Sequence, residues 1–306
     1  MNSEIRFTAA SSPGQREKEA VRALEAVCNA ADGTQFETYL SNQFNAHPEM
    51  DAFFFAWQED DLAGVLSLYA DEEDEAEVTA LVRPDARGQG LFTALLGRAL
   101  AALAPYGTEK LTFKTDAAFP AGAALAVALG GQLRSQEYLM AARTDGPAPA
   151  GAGLPGLEVG PARPEELAAL TDIEQEAFGG SRDEAARYVE GTFAGQDQLL
   201  LAARLAGAPV GMASVETAGR WAYLYGVCVA AAHRGRGIGT GLLRGALAVL
   251  PSITPKRPAL SVEADNAAAL RLYTHAGFEQ LGCQRYYTAS AAHLRQGCGA
   301  AAKDHR

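Results

Sequence analysis

Hydrophobic and polar positions in the second half of the chain follow a regular succession of strand-like and helix-like segments. Short apolar or alternating runs predict strands at residues 157–160, 198–205, 209–217, 221–230, 259–263 and in the material that continues to 289. Wider apolar spacing predicts helices at residues 164–178, 182–193, 266–276 and in the segment that ends at 250. This order predicts an α+β fold, a mixed sheet flanked by helices, in which one strand leads directly into a glycine-rich helix start.

The same order of elements occurs twice. Residues 82–103 align with residues 229–250 without a gap, at an offset of 147, and 11 of the 22 positions are identical. An internal duplication is the simplest cause. Residues 144–156 are rich in glycine, proline and alanine and lack periodicity, which is typical of a linker. We therefore expect two tandem domains of one fold, at residues 1–143 and 157–306.

Composition and charge narrow the class of protein. The 306 residues are 48% hydrophobic and 21% charged, and no apolar run reaches membrane length. The first residues do not form a secretory signal, so we expect a cytoplasmic protein that does not enter a membrane. A net charge of −11 argues against nucleic-acid binding. Residues 1–143 contain 11 basic and 21 acidic residues, against 15 and 16 in the remainder, so an anionic ligand meets less repulsion in the second half.

The cysteines are too widely spaced for a metal pair or a dense disulfide framework. They are Cys28, Cys228, Cys283 and Cys298, and we expect reduced thiols and no metal site.

A glycine-rich turn follows the strand that ends at Val229, and it consists of Arg234, Gly235, Arg236, Gly237, Ile238, Gly239 and Thr240. A helix N-terminus offers free N–H groups, and glycines let a phosphate approach them, so this turn suits a pyrophosphate. A P-loop would need Lys-Ser or Lys-Thr after the last glycine, and a GxGxxG fingerprint would need glycine in place of Thr240. A purely structural glycine turn stays open as an alternative.

These residues resemble the GCN5-related N-acetyltransferase (GNAT) superfamily. Its acetyl-CoA motif, Arg/Gln-x-x-Gly-x-Gly/Ala, is matched by Arg234, Gly237 and Gly239. A second motif of the family follows the strand that contains Leu260, Ser261 and Val262, and it is matched by Asn266, Ala269, Leu272, Tyr273, Gly277 and Phe278.

The resemblance implies direct transfer of an acetyl group from acetyl-CoA to a primary amine of a small molecule or peptide. It implies that backbone N–H groups near Val227 and Val229 hold the thioester carbonyl. The residues it implies for acetyl-CoA binding are Val227, Cys228, Val229, Arg234, Gly235, Arg236, Gly237, Ile238, Gly239, Thr240, Asn266 and Tyr273.

The resemblance also places a general acid at Tyr273, which would stabilise the departing CoA thiolate. The alternative is a tyrosine that only packs on its helix. Asn266 is either a helix N-cap alone or also a contact to the cofactor. For the base that receives the proton of the amine, the strand-end carboxylates of Glu216 and Glu263 are candidates, with solvated surface charges as the alternative. We assign no catalytic role to His233, His275 or Cys228.

Strand alternation places Tyr223 and Tyr225 on one face, on the side expected for the substrate.

The first half repeats the pattern incompletely. Arg87 and Gly90 fit the acetyl-CoA motif, but Phe92 stands where glycine or alanine is expected. The offset of 147 places Phe119 opposite Asn266 and Ala126 opposite Tyr273. We therefore expect a degenerate domain, whose second CoA site would consist of Leu81, Val82, Arg87, Gly88, Gln89, Gly90 and Thr93.

Two alternatives to a general N-acetyltransferase stay open. The length and tandem layout are similar to those of mycothiol synthase, which implies acetylation of an amino-sugar conjugate of cysteine. A noncatalytic acyl-CoA-binding regulatory module is the other alternative. The sequence leaves the oligomeric state open.

Overall fold

The computed structural model describes residues 4–144 and 154–301, which form two compact units. Unit 1 comprises Met1–Glu137 together with Gly282–Arg306, and unit 2 comprises Tyr138–Leu281. None of the helices within the described ranges combines the length and apolar character needed to cross a bilayer.

The elements of the first half are β1 (Ile5–Ala10), α1 (Gln15–Asp32), β2 (Phe53–Gln58), β3 (Asp61–Tyr69), β4 (Glu75–Val82), α2 (Leu91–Leu103), β5 (Lys110–Asp116), α3 (Pro120–Ala128) and β6 (Gln132–Ala142). Those of the second half are β7 (Leu157–Pro161), α4 (Leu167–Phe178), α5 (Arg182–Ala194), β8 (Gln198–Leu205), β9 (Ala208–Glu216), β10 (Ala222–Val229), α6 (Ile238–Val249), β11 (Pro258–Glu263), α7 (Ala267–Ala276), β12 (Phe278–Ser290) and α8 (Ala291–Ala301).

The strands of unit 1 lie in the order β1-β2-β3-β4-β5-β12. Neighbours are antiparallel except for the parallel pair β4 and β5. Phe53, Phe54 and Phe55 of β2 are all buried, which shows that this strand is covered on both faces. The core of unit 1 also includes Tyr287 and Leu294, which come from the last part of the chain.

The strands of unit 2 lie in the order β6-β11-β10-β9-β8-β7, and β10 is parallel to β11. Met212 and Ala213 are consecutive in β9, so their side chains point to opposite faces. Met212 packs in a cluster with Leu170 of α4, whereas Ala213 packs in a cluster with Ile238 of α6. Helices therefore cover both faces of this sheet.

A buried ion pair joins the start of α4 to β8. The guanidinium of Arg204 donates to both carboxylate oxygens of Glu166, at 2.5 and 2.6 Å, and both side chains are about 5% exposed or less. Hydrogen bonding from Arg204 holds the pKa of Glu166 below its usual value. The pair satisfies two charges that would be costly to bury separately.

The structure confirms the predicted α+β class and the succession of strands and helices in the second half. Unit 1 differs from unit 2 between α1 and β2, where the described residues contain no counterpart of α5. The offset of 147 holds through the third helix of each half, because Phe119 and Asn266 are the N-cap residues of α3 and α7.

The compact units differ from the predicted domains 1–143 and 157–306 at two strands. Residues 284–290 of β12 pair with β5 in unit 1, and residues 138–142 of β6 lie in unit 2. Each unit is therefore completed by a strand that the boundary at 144–156 assigns to the other domain. Residues 145–153 of the predicted linker lie outside the described residues.

Candidate active site

The glycine-rich turn of unit 2 connects the end of β10 to α6. Gly235 and Gly237 have left-handed φ angles of 72° and 79°, and no atom lies within 4 Å of the position that a Cβ would occupy at either residue. Gly237 is the N-cap, and the first helical hydrogen bond runs from the Gly241 N–H to the Gly237 carbonyl at 3.0 Å. The N–H groups of residues 238–240 therefore have no acceptor within the helix, which makes the turn an anion site open to solvent.

Two arginines add positive charge to this turn. The Nε of Arg234 donates to the Val229 carbonyl at 2.8 Å, which ties the turn to the end of β10. A terminal nitrogen of Arg236 lies 3.3 Å from Nδ1 of His233. Within the described ranges, Arg234 forms no ion pair. Its exposed guanidinium is therefore available to an anionic ligand.

β10 has a bulge directly before the turn. Its pairing with β9 shifts by one residue between Tyr225 and Cys228. Gly226 has a φ of 57°, and a Cβ there would overlap the hydroxyl oxygen of Tyr188 on α5. Only glycine fits this conformation and this contact. Because a bulge removes residues from the ladder, the backbone groups at Gly226 and Val227 can face a ligand.

The parallel partner of β10 also leaves it early. In the described sheet, β10 and β11 pair only at Ala222 with Pro258 and at Tyr223 with Ala259. Beyond Tyr223 the two strands are free to diverge, so an open edge begins beside the bulge. The segment near Val227 and Val229, which the sequence resemblance implies for the thioester carbonyl, lies beyond this point of β10.

Tyr273 lies on α7, close to both of these strands. It packs against a cluster that includes Leu224 of β10 and Leu260 of β11, and its ring meets Phe278 edge-on at 6.2 Å. Burial, with a smaller contribution from the Tyr223 phenol, raises the pKa of Tyr273 above its ordinary value. The phenol is therefore protonated at neutral pH and can donate a hydrogen bond.

The other predicted side chains have simpler surroundings. Oδ1 of Asn266 accepts the Ala269 N–H at 3.0 Å, so this residue is an N-cap. The two carboxylate oxygens of Glu216 accept bonds from the Gln198 amide at 3.2 Å and the Ala218 N–H at 2.8 Å. Glu263 is exposed at the end of β11. Burial raises the pKa of Cys228 to about 12, so its thiol is protonated at neutral pH.

Three residues beside the bulge escaped the sequence analysis: Glu174 of α4, Tyr188 of α5 and Ser214 of β9. The Tyr188 hydroxyl donates to Ser214 Oγ at 3.3 Å, and its ring meets that of Tyr225 edge-on at 5.8 Å. Glu174 is half-buried. The available signal was a carboxylate next to Ile173, on the apolar stripe of a helix.

The corresponding turn of unit 1 keeps the shape and loses the free charge. Arg87 Nε donates to the Val82 carbonyl at 2.9 Å, but its two terminal nitrogens bind both oxygens of Asp32 at 2.7 Å. Its guanidinium also lies 4.8 Å from the ring centroid of Phe119. The arginine therefore serves the fold of unit 1, where it links the end of α1 to the turn.

β4 differs from β10 in its backbone as well. It pairs with β3 in unbroken register from Val82 to Glu77, so the described ladder contains no bulge at the position of Gly226. Phe92 packs against the core of unit 1. Of the remaining residues of the predicted second CoA site, Leu81 is half-buried and the others at the turn, Gly88, Gln89, Gly90 and Thr93, are exposed.

Comparison with known proteins supplies the family. The model of the acetyltransferase (GNAT) family matches residues 18–130 and 167–278. A GCN5-related N-acetyltransferase from Sphaerobacter thermophilus is 22% identical, with a TM-score of 0.68 over 93% of this chain and 96% of that chain. A tandem GNAT protein from the clavulanic acid biosynthesis pathway is 22% identical, with a TM-score of 0.71 over 94% of this chain and 99% of that chain.

A GNAT-family acetyltransferase from Colwellia psychrerythraea is 15% identical, with a TM-score of 0.61 over 93% of this chain and 99% of that chain. At these identities, the three likenesses show a shared fold. No curated protein sequence matches the chain.

Proposed function

This chain belongs to the acetyltransferase (GNAT) family and is a tandem N-acetyltransferase, and from this we propose that unit 2 transfers an acetyl group from acetyl-CoA to a primary amine of a small molecule or peptide. One observation carries the proposal. Unit 2 combines an open glycine turn with a bulged β10, whereas the matching turn of unit 1 has its arginine bound by Asp32 and follows an unbroken β4.

The residues of unit 2 fit the two ends of the acyl donor. The N–H groups of residues 238–240 and the guanidinium of Arg234 would bind the diphosphate. Backbone N–H groups of the bulged segment, at Gly226, Val227 and Val229, would donate hydrogen bonds to the thioester carbonyl oxygen and stabilise the charge that develops on it.

Tyr273 would act on the leaving group. Its phenol remains protonated because burial raises its pKa, so it can donate a hydrogen bond to the sulfur as the carbon–sulfur bond breaks. Of the predicted bases, Glu216 already accepts two protein hydrogen bonds, whereas Glu263 is exposed to solvent. Both stay candidates for the group that receives the proton of the amine.

The proposal is tested by mixing the protein with acetyl-CoA and a panel of primary amines and measuring release of the CoA thiol. We expect amine-dependent thiol release and one acetyl-CoA site per chain by calorimetry. Tight acetyl-CoA binding without turnover of any amine would instead favour a noncatalytic acyl-CoA-binding module. Two equivalent sites per chain would contradict the assignment of the chemistry to unit 2.

A further inference from the structure

Glu174 has surroundings unlike those of the other glutamates of unit 2. Its neighbours on α4, Leu170 and Ile173, are buried in a cluster that includes Met212 and Cys228 of the sheet. The Glu174 side chain is half-buried there, and within residues 4–144 and 154–301 it forms no hydrogen bond or ion pair. The buried or half-buried Glu166, Glu216 and Glu279 all have partners.

Those partners are Arg204 for Glu166, Gln198 and the Ala218 N–H for Glu216, and Arg257 for Glu279. Apart from Glu174, the glutamates of unit 2 that have no described partner are all exposed to solvent. They are Glu158, Glu165, Glu190 and Glu263. A carboxylate removed from water without a partner is unfavourable, and burial accordingly raises the pKa of Glu174. Such a group is common where a ligand supplies the missing partner.

The position of Glu174 relates it to the bulge of β10. Burial first, and then the charge of Glu174, raises the pKa of Cys228, the residue that ends the bulge. The charge of Glu174 also raises the pKa of Tyr188, although burial, the hydrogen bond to Ser214 and Tyr225 have larger effects on it. The hydroxyl oxygen of Tyr188 occupies the space that a Cβ on Gly226 would need. Ile173, the residue before Glu174 on α4, packs in one cluster with Cys228 of β10, and Tyr188 of α5 packs against the same cluster. Glu174 therefore lies next to the packed face of α4, on the α4–α5 side of the segment at which the thioester would bind.

Two aromatic rings beside the bulge of β10 suit a cation. The rings of Tyr188 and Tyr225 meet edge-on at 5.8 Å, and aromatic faces attract an ammonium group. Arg and Lys side chains form no described ion pair with Glu174, so a positive charge on the ligand would be its first partner. We infer that Glu174, in place of the candidates Glu216 and Glu263, binds the ammonium group of the acceptor amine and removes its proton before attack on the thioester. This inference rests on the proposed function and adds the acceptor side of the same site.

The proton transfers balance as follows. Glu174 takes one proton from the ammonium group, and the neutral amine forms the carbon–nitrogen bond to the thioester carbonyl carbon. The carbon–sulfur bond breaks and its electron pair leaves on sulfur. The second proton of the nitrogen passes to sulfur through Tyr273, and the proton on Glu174 is released to solvent. Ammonium and thioester thus give amide, thiol and one proton.

Glu174→Gln tests the inference with little change in shape. With phenethylamine and acetyl-CoA as probes at pH 7, we expect kcat/KM to fall about 100-fold, because a general base is lost. Acetyl-CoA affinity should stay within about twofold, since the diphosphate turn is untouched. Thermal stability should be equal or higher, because the variant removes an unpaired buried charge. Glu190→Gln, an exposed carboxylate on α5, is the matched control and should match the wild type.

The pH profile separates a base from a structural residue. The titratable groups in the cluster against which this part of α4 packs are Tyr188 of α5 and Cys228 of β10, and Glu176 is the neighbouring carboxylate on α4. Because both Tyr188 and Cys228 have raised pKa values, they stay neutral through pH 8 and give no acidic limb. We therefore expect the acidic limb of kcat/KM to come from Glu174. That limb should disappear in Glu174→Gln, and activity should recover as pH rises and free amine becomes available.

The outcomes are distinct. Two results overturn the inference alone. One is wild-type activity in Glu174→Gln. The other is a loss of activity and a lower melting temperature in Glu174→Gln, with Glu174→Asp restoring both but not the acidic limb. A wild-type protein that acetylates none of the amines in the panel overturns the proposed function, and the inference with it.

Discussion

Arg87 and Arg234 occupy matching positions in the two halves, yet they have different roles because of one neighbouring residue. Arg234 and Arg87 make the same Nε bond to the last carbonyl of their strand, at 2.8 and 2.9 Å. Asp32, the last residue of α1, then binds Arg87, whereas α4, the matching helix of the second half, ends with Phe178, which carries no charge. The alignment identifies the arginine, and the partner decides whether its charge is available to a ligand.

We expect Arg87→Ala and Arg234→Ala to separate stability from binding. Arg87→Ala removes a two-pronged ion pair with the mostly buried Asp32 and should lower the stability of unit 1 by about 1–3 kcal/mol. Arg234→Ala should weaken acetyl-CoA binding about tenfold with a smaller effect on the melting temperature. Thermal unfolding and calorimetry with acetyl-CoA measure both effects. Reversed results would place the ligand in unit 1.

Tyr273→Phe removes one hydroxyl and keeps the packing of the ring on Phe278. We expect kcat to fall about 100-fold with acetyl-CoA affinity nearly unchanged, because the phenol acts on the leaving group. Tyr106→Phe in unit 1 is the control. Steady-state rates measured by thiol release are the test, and equal activity in Tyr273→Phe would remove this residue from the mechanism.

At the scale of elements, β10 and β4 show how one extra residue changes a strand. Both end at a glycine turn, yet the register of β10 shifts between Tyr225 and Cys228 and that of β4 does not. The shift exposes backbone groups beside the turn and depends on Gly226, which contacts Tyr188 of α5. In unit 2, the exposed backbone groups thus depend on the strand, the turn and the helix together.

Gly226→Ala should disrupt the bulge of β10. The φ of 57° and the overlap with the Tyr188 hydroxyl oxygen both oppose a Cβ, and the left-handed conformation alone costs about 1–2 kcal/mol. We expect lower stability and a loss of turnover larger than the loss of acetyl-CoA affinity. Gly97→Ala on α2, where no atom lies within 4 Å of the new Cβ, should be neutral or stabilising. An active Gly226→Ala variant would show that the bulge is dispensable.

The sequence predicts the elements well and their irregularities poorly. Periodicity and the glycine turn place the strand at 221–230 and the helix start after it, because these depend on local patterns. The bulge lies within an apolar run that is typical of an ordinary strand, and Gly226 is its only local sign. Glu174 escapes because the missing partner of a carboxylate is a property of the folded neighbourhood.

At the scale of the whole molecule, the chain returns to its first half. Residues 284–290 pair with β5, and Tyr287 and Leu294 enter the core of unit 1. The sequence predicts a final strand correctly but assigns it to the second domain, since the duplicated halves offer two similar sheets and pairing over such a distance has no local signal. The linker composition alone favours the boundary at 144–156.

Fragments cut at the predicted boundary test this arrangement. A fragment of residues 1–143 lacks the strand beside β5, so we expect it to unfold without cooperativity or to aggregate, whereas the full chain unfolds cooperatively. Coexpression with residues 157–306 should restore folding of the first fragment, because it supplies β12 and α8. Circular dichroism melts and protease resistance are the measurements. A well-folded fragment 1–143 would contradict the assignment of residues 282–306 to unit 1.

The late arrival of β12 has a consequence for biosynthesis. Once the ribosome has translated Leu281, most of unit 1 has been made, but the segment that pairs with β5 has not. The nascent chain therefore carries an uncovered β-edge while the second half is being synthesised, and open edges of this kind invite wrong pairing. Demand for chaperones should be greatest in that interval and should end when the last strand leaves the exit tunnel.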